Sequence, residues 1–202
     1  MSSDHYFSAS PASADERRII SVELNGTIRQ IQTAAGIFSP SGLDKGTEVL
    51  LQNVPTPHGK ILDIGCGWGP IALSAAEQSP ESTVYGVDVN ERSIELARIN
   101  AENLGLDNVV IGLPESIDPE LRFDTIWSNP PIRIGKEALH ELLMLWLPRL
   151  APGGEAWMVV QKNLGSDSLQ KWLLAQLPGD WSITRETTSK AFRVLKVTRP
   201  AQ

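Results

Sequence analysis

Apolar positions along this chain come in two rhythms: short runs rich in valine and isoleucine, and longer stretches where they return every third or fourth residue. Strand side chains alternate with period two, and helical ones repeat about every 3.6 residues, so each rhythm predicts its own element. "IISVELNGTIRQIQ" at residues 19–32 sets two β-type runs around Asn25-Gly26, a strong signal for a tight hairpin. A helix is expected over residues 43–52, after "FSPSG". From residue 60 the rhythms interleave. "KILDIG", "TVYGVDV", "NVVIG", "FDTIWSN" and "EAWMVVQ" read as strands, and residues 70–78, 92–105, 136–150 and 168–177 as helices. "WSITRET" and "AFRVLKVT" close the chain as an antiparallel pair. The alternation predicts an α/β fold, a Rossmann-like, doubly wound and mainly parallel sheet with helices on both faces. Ligands of such sheets bind at the carboxyl ends of strands. Those ends are residues 65–69, Asp88, and residues 112–116, 129–133 and 161–163.

Composition narrows this picture. A chain of 202 residues buries a sizeable core without staples, and one domain is the simplest division. No apolar run reaches membrane-spanning length, and the start "MSSDHYFSAS" lacks the basic and apolar regions of a signal peptide. The single cysteine, Cys66, excludes an internal disulfide and a cysteine-cluster zinc site, so a cytoplasmic protein is expected. The net charge of −6 argues against indiscriminate nucleic-acid binding, yet it is unevenly spread. Residues 77–124 carry −8 and residues 125–202 carry +4, a split that suits either different partners for different faces or an ordinary solvated surface.

"LDIGCGWGP" at residues 62–70 is a strand running into a Gly-x-Gly-x-Gly turn and a helix. Glycines there permit positive φ and close approach, and a helix start offers free N–H groups, so a nucleotide-like ligand would fit. The plain alternative is a tight turn with no ligand. A dinucleotide fingerprint needs its third glycine where Pro70 stands, which counts against NAD. Asp63 precedes the loop, where an acid could meet a cationic group. Asp88 ends the next strand, where a carboxylate can accept from both ribose hydroxyls or simply sit at a helix N-terminus.

"SNPPI" at residues 128–132 follows the strand "FDTIWS". Two prolines are a poor way to continue a sheet. Besides stopping the strand, they leave the Asn129 side-chain oxygen and the Pro130 carbonyl as acceptors, with no N–H from Pro130 or Pro131 to compete. Two converging acceptors suit a planar NH₂ group and would aim its nitrogen lone pair.

"DIGCGWG", "VDVN" and "SNPPI", in that order, resemble class I S-adenosylmethionine-dependent methyltransferases acting on exocyclic or amide nitrogens. "HYFSASPAS", "FSPSGLDKGTEVLL", "NPPIRIGKEALH" and "VVQKNLG" narrow the resemblance to the small methyltransferase-domain family, which includes ribosomal RNA guanine-N2 methyltransferases and short single-domain relatives. The resemblance implies a seven-stranded sheet with an antiparallel last strand, carried by residues 41–202, with residues 1–40 as an extension bearing the hairpin. It assigns S-adenosylmethionine as cofactor, with Asp63, Gly65, Cys66, Gly67 and Gly69 at its methionine end and Asp88 with Val89 at the ribose. Leu113, in the turn "GLPES", is a candidate cofactor contact, and which residue of that turn, Leu113 or Pro114 first, reads adenine is left open. Asn129, Pro130, Pro131 and Ile132 take the target amine, and Asn129 also borders the cofactor. "FSPSGLDKG" is expected to fold over the pocket. RNA, most simply ribosomal, is the implied substrate, and no membrane is involved.

The chain departs from its relatives in three places. Ile132 stands where many have an aromatic residue to stack on a flipped base, which leaves Arg133 as a stacking candidate. The adenine-binding turn often carries an acid or amide, whereas "GLPES" offers Leu113 and Pro114 first, and in place of the extra N-terminal domain of the longer enzymes stands a short hairpin. Arg133, Lys136 and Lys162 should surround the pocket mouth. Lys190, Arg193, Lys196 and Arg199 recur every third residue, which alternates faces on a strand and makes no single basic stripe. Cys66 has no histidine nearby to activate it, His140 lies among helical leucines, and Trp68 is the one tryptophan inside the glycine loop. Two other readings stay open: a protein glutamine or small-molecule N-methyltransferase using the same acceptors, and a binding module for S-adenosylmethionine or RNA without catalysis.

Overall fold

Ile61 and Leu62 are adjacent and both fully buried, yet they belong to different cores. The same split separates Ile126 from Trp127, Met158 from Val159 and Val194 from Leu195. Successive strand side chains point to opposite faces, so runs that are apolar at every position mark a sheet covered on both sides. The computed structural model describes residues 14–189 and 191–202 and has that architecture. His5, the stretch "HYFSASPAS" and Lys190 lie outside the described residues.

An N-terminal hairpin pairs β1 (Arg18–Leu24) with β2 (Thr27–Thr33). Its turn residues Asn25 and Gly26 both have positive φ, as the sequence pair predicts. The main sheet follows with β3 (Lys60–Ile64), β4 (Thr83–Val87), β5 (Val109–Gly112), β6 (Phe123–Ser128), β7 (Leu150–Gln161), β8 (Ser182–Ser189) and β9 (Phe192–Thr198). Its seven strands lie in the order β5-β4-β3-β6-β7-β9-β8, with β9 antiparallel to both of its neighbours. Helices α1 (Lys45–Leu51), α2 (Pro70–Gln78) and α3 (Glu91–Asn103) cover one face, and α4 (Lys136–Trp146) and α5 (Ser166–Gln176) the other. This is the expected Rossmann-like α/β sheet. The chain leaves β3 toward β4 on one side and returns as β6 on the other, so the crevice at the carboxyl ends of β3 and β6 is the topological switch point.

Some boundaries differ from the sequence reading. Helix α1 begins at Lys45 because Asp44 caps it. Helix α4 ends at Trp146, and Pro148 then sits in a 3₁₀ turn. Strand β7 starts at Leu150, with a register shift against β6 that accommodates "APGG". The hairpin forms its own small sheet but not its own core. Val22, Leu24 and Ile31 pack with Trp68, Leu73 of α2, and Leu96 and Ala101 of α3.

Because that packing is shared, Leu24→Ala should destabilise the whole chain by about 3 kcal/mol. Urea unfolding followed by tryptophan fluorescence and far-UV circular dichroism should show one shifted transition. A separate early transition confined to the hairpin would contradict the shared core.

Candidate functional site

A cavity of about 700 Å³ opens at the switch point. Gly65 at the tip of β3, Asp88 and Val89 after β4, and Pro114 line one end. Asn129, Pro130, Pro131, Ile132 and Arg133 line the middle, and Gln161, Leu164 and Phe192 the other end. Ile37, Phe38, Ser39, Pro40 and Asp44, from the segment joining the hairpin to α1, form its cover. That segment is pinned by Trp68 Nε1 donating to the Ser39 carbonyl (3.2 Å) and by Asn90 Nδ2 donating to the Gly36 carbonyl (3.0 Å). Trp68 is fully buried and acts as a strut.

The glycine loop offers space rather than donors. Gly65 N and Cys66 N both donate to the Val87 carbonyl (2.8 and 3.0 Å), and Gly67 N donates to Asp88 Oδ2 (2.8 Å). These three loop N–H groups are therefore turned toward the end of β4, while at the start of α2 Ala72 N donates to Asp63 and Leu73 N to the Gly69 carbonyl. Gly65 and Gly67 have positive φ, and a Cβ on Gly67 would meet nothing within 4 Å, which is room for a ligand to approach the backbone. Gly67 and Cys66 line only a small adjoining cleft, and Gly69 faces Leu73 inside the protein. Cys66 is buried, and burial pushes its thiol well above the usual range, which leaves it no role as a nucleophile.

Two acids flank the loop. Asp88 borders the cavity with one oxygen on Gly67 N (2.8 Å) and the other on Asn90 N (2.9 Å), and Val89 N is a third backbone donor to its carboxylate. Burial raises its carboxyl, and the backbone donors oppose that rise. Asp63 lies under the loop rather than in the cavity wall and is fully buried. Its Oδ2 accepts from Ala72 N in the first turn of α2 (3.0 Å), and its Oδ1 has no partner among the described residues. Burial pushes its carboxyl up to about 8, and the neighbouring Asp88 adds to the shift. Inward-turned amides and two acids held out of solvent suit a cationic nucleoside without phosphates, because a nearby cation stabilises both carboxylates.

Asn129 is oriented by residues far away in the chain. Its Nδ2 donates to Asp44 Oδ2 (2.9 Å) and Thr47 Oγ1 (3.1 Å), which uses both amide hydrogens. Only its carbonyl oxygen is left to offer the cavity. Asp44 Oδ2 also accepts from Gly46 N (2.7 Å) and Thr47 N (3.2 Å) and so caps α1. Residue 46 has to be glycine here. A Cβ would lie 2.9 Å from Asp44 Oδ2, 3.1 Å from Phe192 Cε1 and 3.3 Å from Asn129 Nδ2. Asp44 and Thr47 were missed in the sequence reading, although an aspartate ahead of a helix is a capping signal. The Pro130 carbonyl is not bare, as the sequence suggested. Ile132 N donates to it (2.8 Å) across Pro131 at φ −75°, ψ 71°, an inverse γ-turn. One lone pair remains.

Other expected residues are placed elsewhere. Leu113 packs into the core on the α1–α3 face, and Pro114 takes the cavity wall instead. Arg133 lines the cavity and is exposed, whereas Lys136 and Lys162 stand outside the wall. Arg193 pairs with Asp167, Lys196 with Glu155, and Arg199 Nη1 donates to the Leu150 carbonyl, so these three serve the fold. His140 stacks on Trp172 between α4 and α5, with ring centroids 3.5 Å apart.

The sequence matches the family described as "Methyltransferase small domain" over residues 29–196. Protein YbxB of Bacillus subtilis is 37% identical over 171 residues, covering 82% of this chain and 85% of that one. Ribosomal RNA small subunit methyltransferase C of Salmonella arizonae is 36% identical over 140 residues, which are 66% of this chain but only 41% of the longer protein. Among solved structures, the Thermus thermophilus 16S rRNA N2 G1207 methyltransferase in complex with AdoMet and guanosine superposes with a TM-score of 0.77. It is 21% identical, covering 94% of this chain and 52% of that one, and shares the fold.

Two outcomes follow from this geometry. Between about pH 4 and pH 8 the folded chain holds a proton on Asp63 that the unfolded chain has lost, so this group's stabilisation falls as pH rises through that window. Asp63→Asn should flatten the decline and melt above the parent chain near pH 9, as thermal scans from pH 5 to 9 would register. The Asn129 side-chain NH₂ should exchange slowly with water in NMR spectra. Asp44→Ala should speed that exchange and cost about 1 kcal/mol through the lost cap; unchanged exchange would remove Asp44 from the clamp.

Proposed function

The chain belongs to the methyltransferase small domain family, and we propose that it methylates the exocyclic N2 amine of a guanine in ribosomal RNA, with S-adenosylmethionine as donor. The observation that carries this reading is the clamped Asn129 amide, whose remaining polar atom is an acceptor, in a residue that lines the cavity together with Pro130. Two of the similar proteins are named for ribosomal RNA methylation, one of them for the N2 of a guanine. The positive last third of the chain and the exposed Arg133 at the cavity suit a phosphate-bearing partner. In this reading residues 41–202 carry the transfer machinery, residues 1–40 brace it, and the protein works in the cytoplasm. Among the described residues, no helix is long and apolar enough to cross a membrane.

Bound S-adenosylmethionine would supply an electrophilic methyl group on a sulfonium. Asp88 would accept from the ribose hydroxyls, and Val89 and Pro114 would border the adenine. The glycine loop would let the methionine end lie against the backbone, where Asp63 and Asp88 favour positive charge. A guanine turned out of its helix would give one amine hydrogen to Asn129 Oδ1 and the other to the Pro130 carbonyl. Both acceptors strengthen as the attacking nitrogen becomes cationic. The nitrogen–carbon bond forms as the sulfur–carbon bond breaks, and the surplus proton passes to water. No strong base is required, because the product amine is acidic until it loses that proton.

Labelled S-adenosylmethionine should place its methyl in unmethylated ribosomal RNA or ribosomal subunits, recovered on digestion as N2-methylguanosine. Asn129→Ala should lower turnover by about a hundredfold or more while cofactor affinity stays within about twofold. Label in protein glutamine or in metabolites would overturn the RNA reading, and equal loss of turnover and cofactor binding would overturn the role of Asn129.

A further inference from the structure

The aromatic ring missing at residue 132 has a substitute on another strand. Phe192 is the first residue of β9 and lines the cavity. A Cβ added at Gly46 would meet both its Cε1 atom (3.1 Å) and Asn129 Nδ2 (3.3 Å), so the ring and the clamped amide flank the same glycine. The backbone holds it there, since Lys162 N donates to the Ala191 carbonyl (2.7 Å) and ties the start of β9 to the end of β7. Directly across the ladder from Phe192 is Gln161. Opposed residues of an antiparallel pair share a face, and both side chains reach the same cavity. The Gln161 amide makes no hydrogen bond to any described residue. An aromatic face and an unused donor–acceptor pair thus stand together on the sheet face that also brings Val159 to the cavity.

We propose that Phe192 and Gln161 are the acceptor-reading pair of this site: the ring stacks on a planar heteroaromatic acceptor whose amine lies at Asn129, and the Gln161 amide hydrogen-bonds that acceptor's polar edge. The inference rests on the reading of this cavity as an amine methylation site and narrows what can enter it. A flexible primary amide could use the Asn129 and Pro130 acceptors but offers no ring to stack. A base can use both sets of groups. Gly46 belongs to the arrangement, because any side chain there would push the ring away from Asn129.

Isothermal titration tests the pair without turnover. Guanosine and N-acetylglutamine amide are titrated into the full chain saturated with S-adenosylhomocysteine, for the parent, Phe192→Leu, Phe192→Trp and Gln161→Leu. Guanosine affinity should fall about tenfold or more in Phe192→Leu, as expected for a lost base–aromatic stack. It should also fall in Gln161→Leu and survive in Phe192→Trp, with S-adenosylhomocysteine affinity and melting temperature unchanged throughout. The amide probe should bind the parent more weakly than guanosine and ignore the loss of the ring. Equal guanosine affinity in the parent and either leucine variant, no guanosine binding by the parent, or a parallel loss of S-adenosylhomocysteine would each overturn the pair. A parent chain that binds guanosine through both residues yet methylates no RNA keeps the pair and removes the ribosomal reading.

Discussion

One carboxylate oxygen organises the acceptor half of this cavity. Asp44 Oδ2 takes hydrogen bonds from Gly46 N, Thr47 N and Asn129 Nδ2. The first two start α1, and the third decides which end of the Asn129 amide faces the cavity. An unclamped amide could turn by half a rotation and present donors, which would repel an incoming NH₂. Clamped by Asp44 and Thr47, it can offer only an acceptor. The same contact draws the covering segment down on the sheet, since Asp44 ends the stretch that runs from Ile37 over the cavity. Capping a helix, closing a cover and orienting an acceptor are thus one local event.

At the other end the constraint is electrostatic. Val87 and Asp88 consume the loop amides at Gly65, Cys66 and Gly67, so the loop cannot serve as an anion cradle of the kind phosphates occupy. What remains is bare backbone with two acids close by, both shifted upward by burial. In the empty fold this arrangement is unfavourable for charge. A sulfonium and an ammonium placed against it would relieve the strain, which makes the preference for a cation a property of the folded loop as well as of Asp63 and Asp88.

The sheet was legible because burial on both faces writes continuous apolar runs, as at Ile61-Leu62 and Ile126-Trp127, and because Asn25-Gly26 admits few turns. Asp88 and Asn129 were legible because strand ends in a parallel sheet share one edge. Partnerships across the chain were not. Asn129 lies 85 residues from Asp44, and no local rhythm joins them. The choice between Leu113 and Pro114 stayed open for a related reason: a turn sequence does not say which of two neighbours faces inward, and in the fold Leu113 packs on the core while Pro114, opening a 3₁₀ turn, lines the cavity. Ile132 N closing on the Pro130 carbonyl was also hidden, because the two prolines drew attention to donors they lack rather than to the next residue's N–H.

The antiparallel strand β9 gives this edge a use beyond closing the sheet. Strands β3, β4, β6 and β7 all arrive at the cavity by their carboxyl ends and line it with last residues such as Ile64, Val87 and Gln161 and with the turns that follow them. Strand β9 runs the other way and begins there. Its first residue, Phe192, is held by ladder pairing with Gln161 and so can present a large ring without a loop to position it. A seventh strand laid parallel would bring only its end to the cavity and would need a further turn to do the same. The reversal lets the chain carry an aromatic wall on rigid backbone, which explains how Ile132 can occupy the position after the prolines while the cavity keeps an aromatic face.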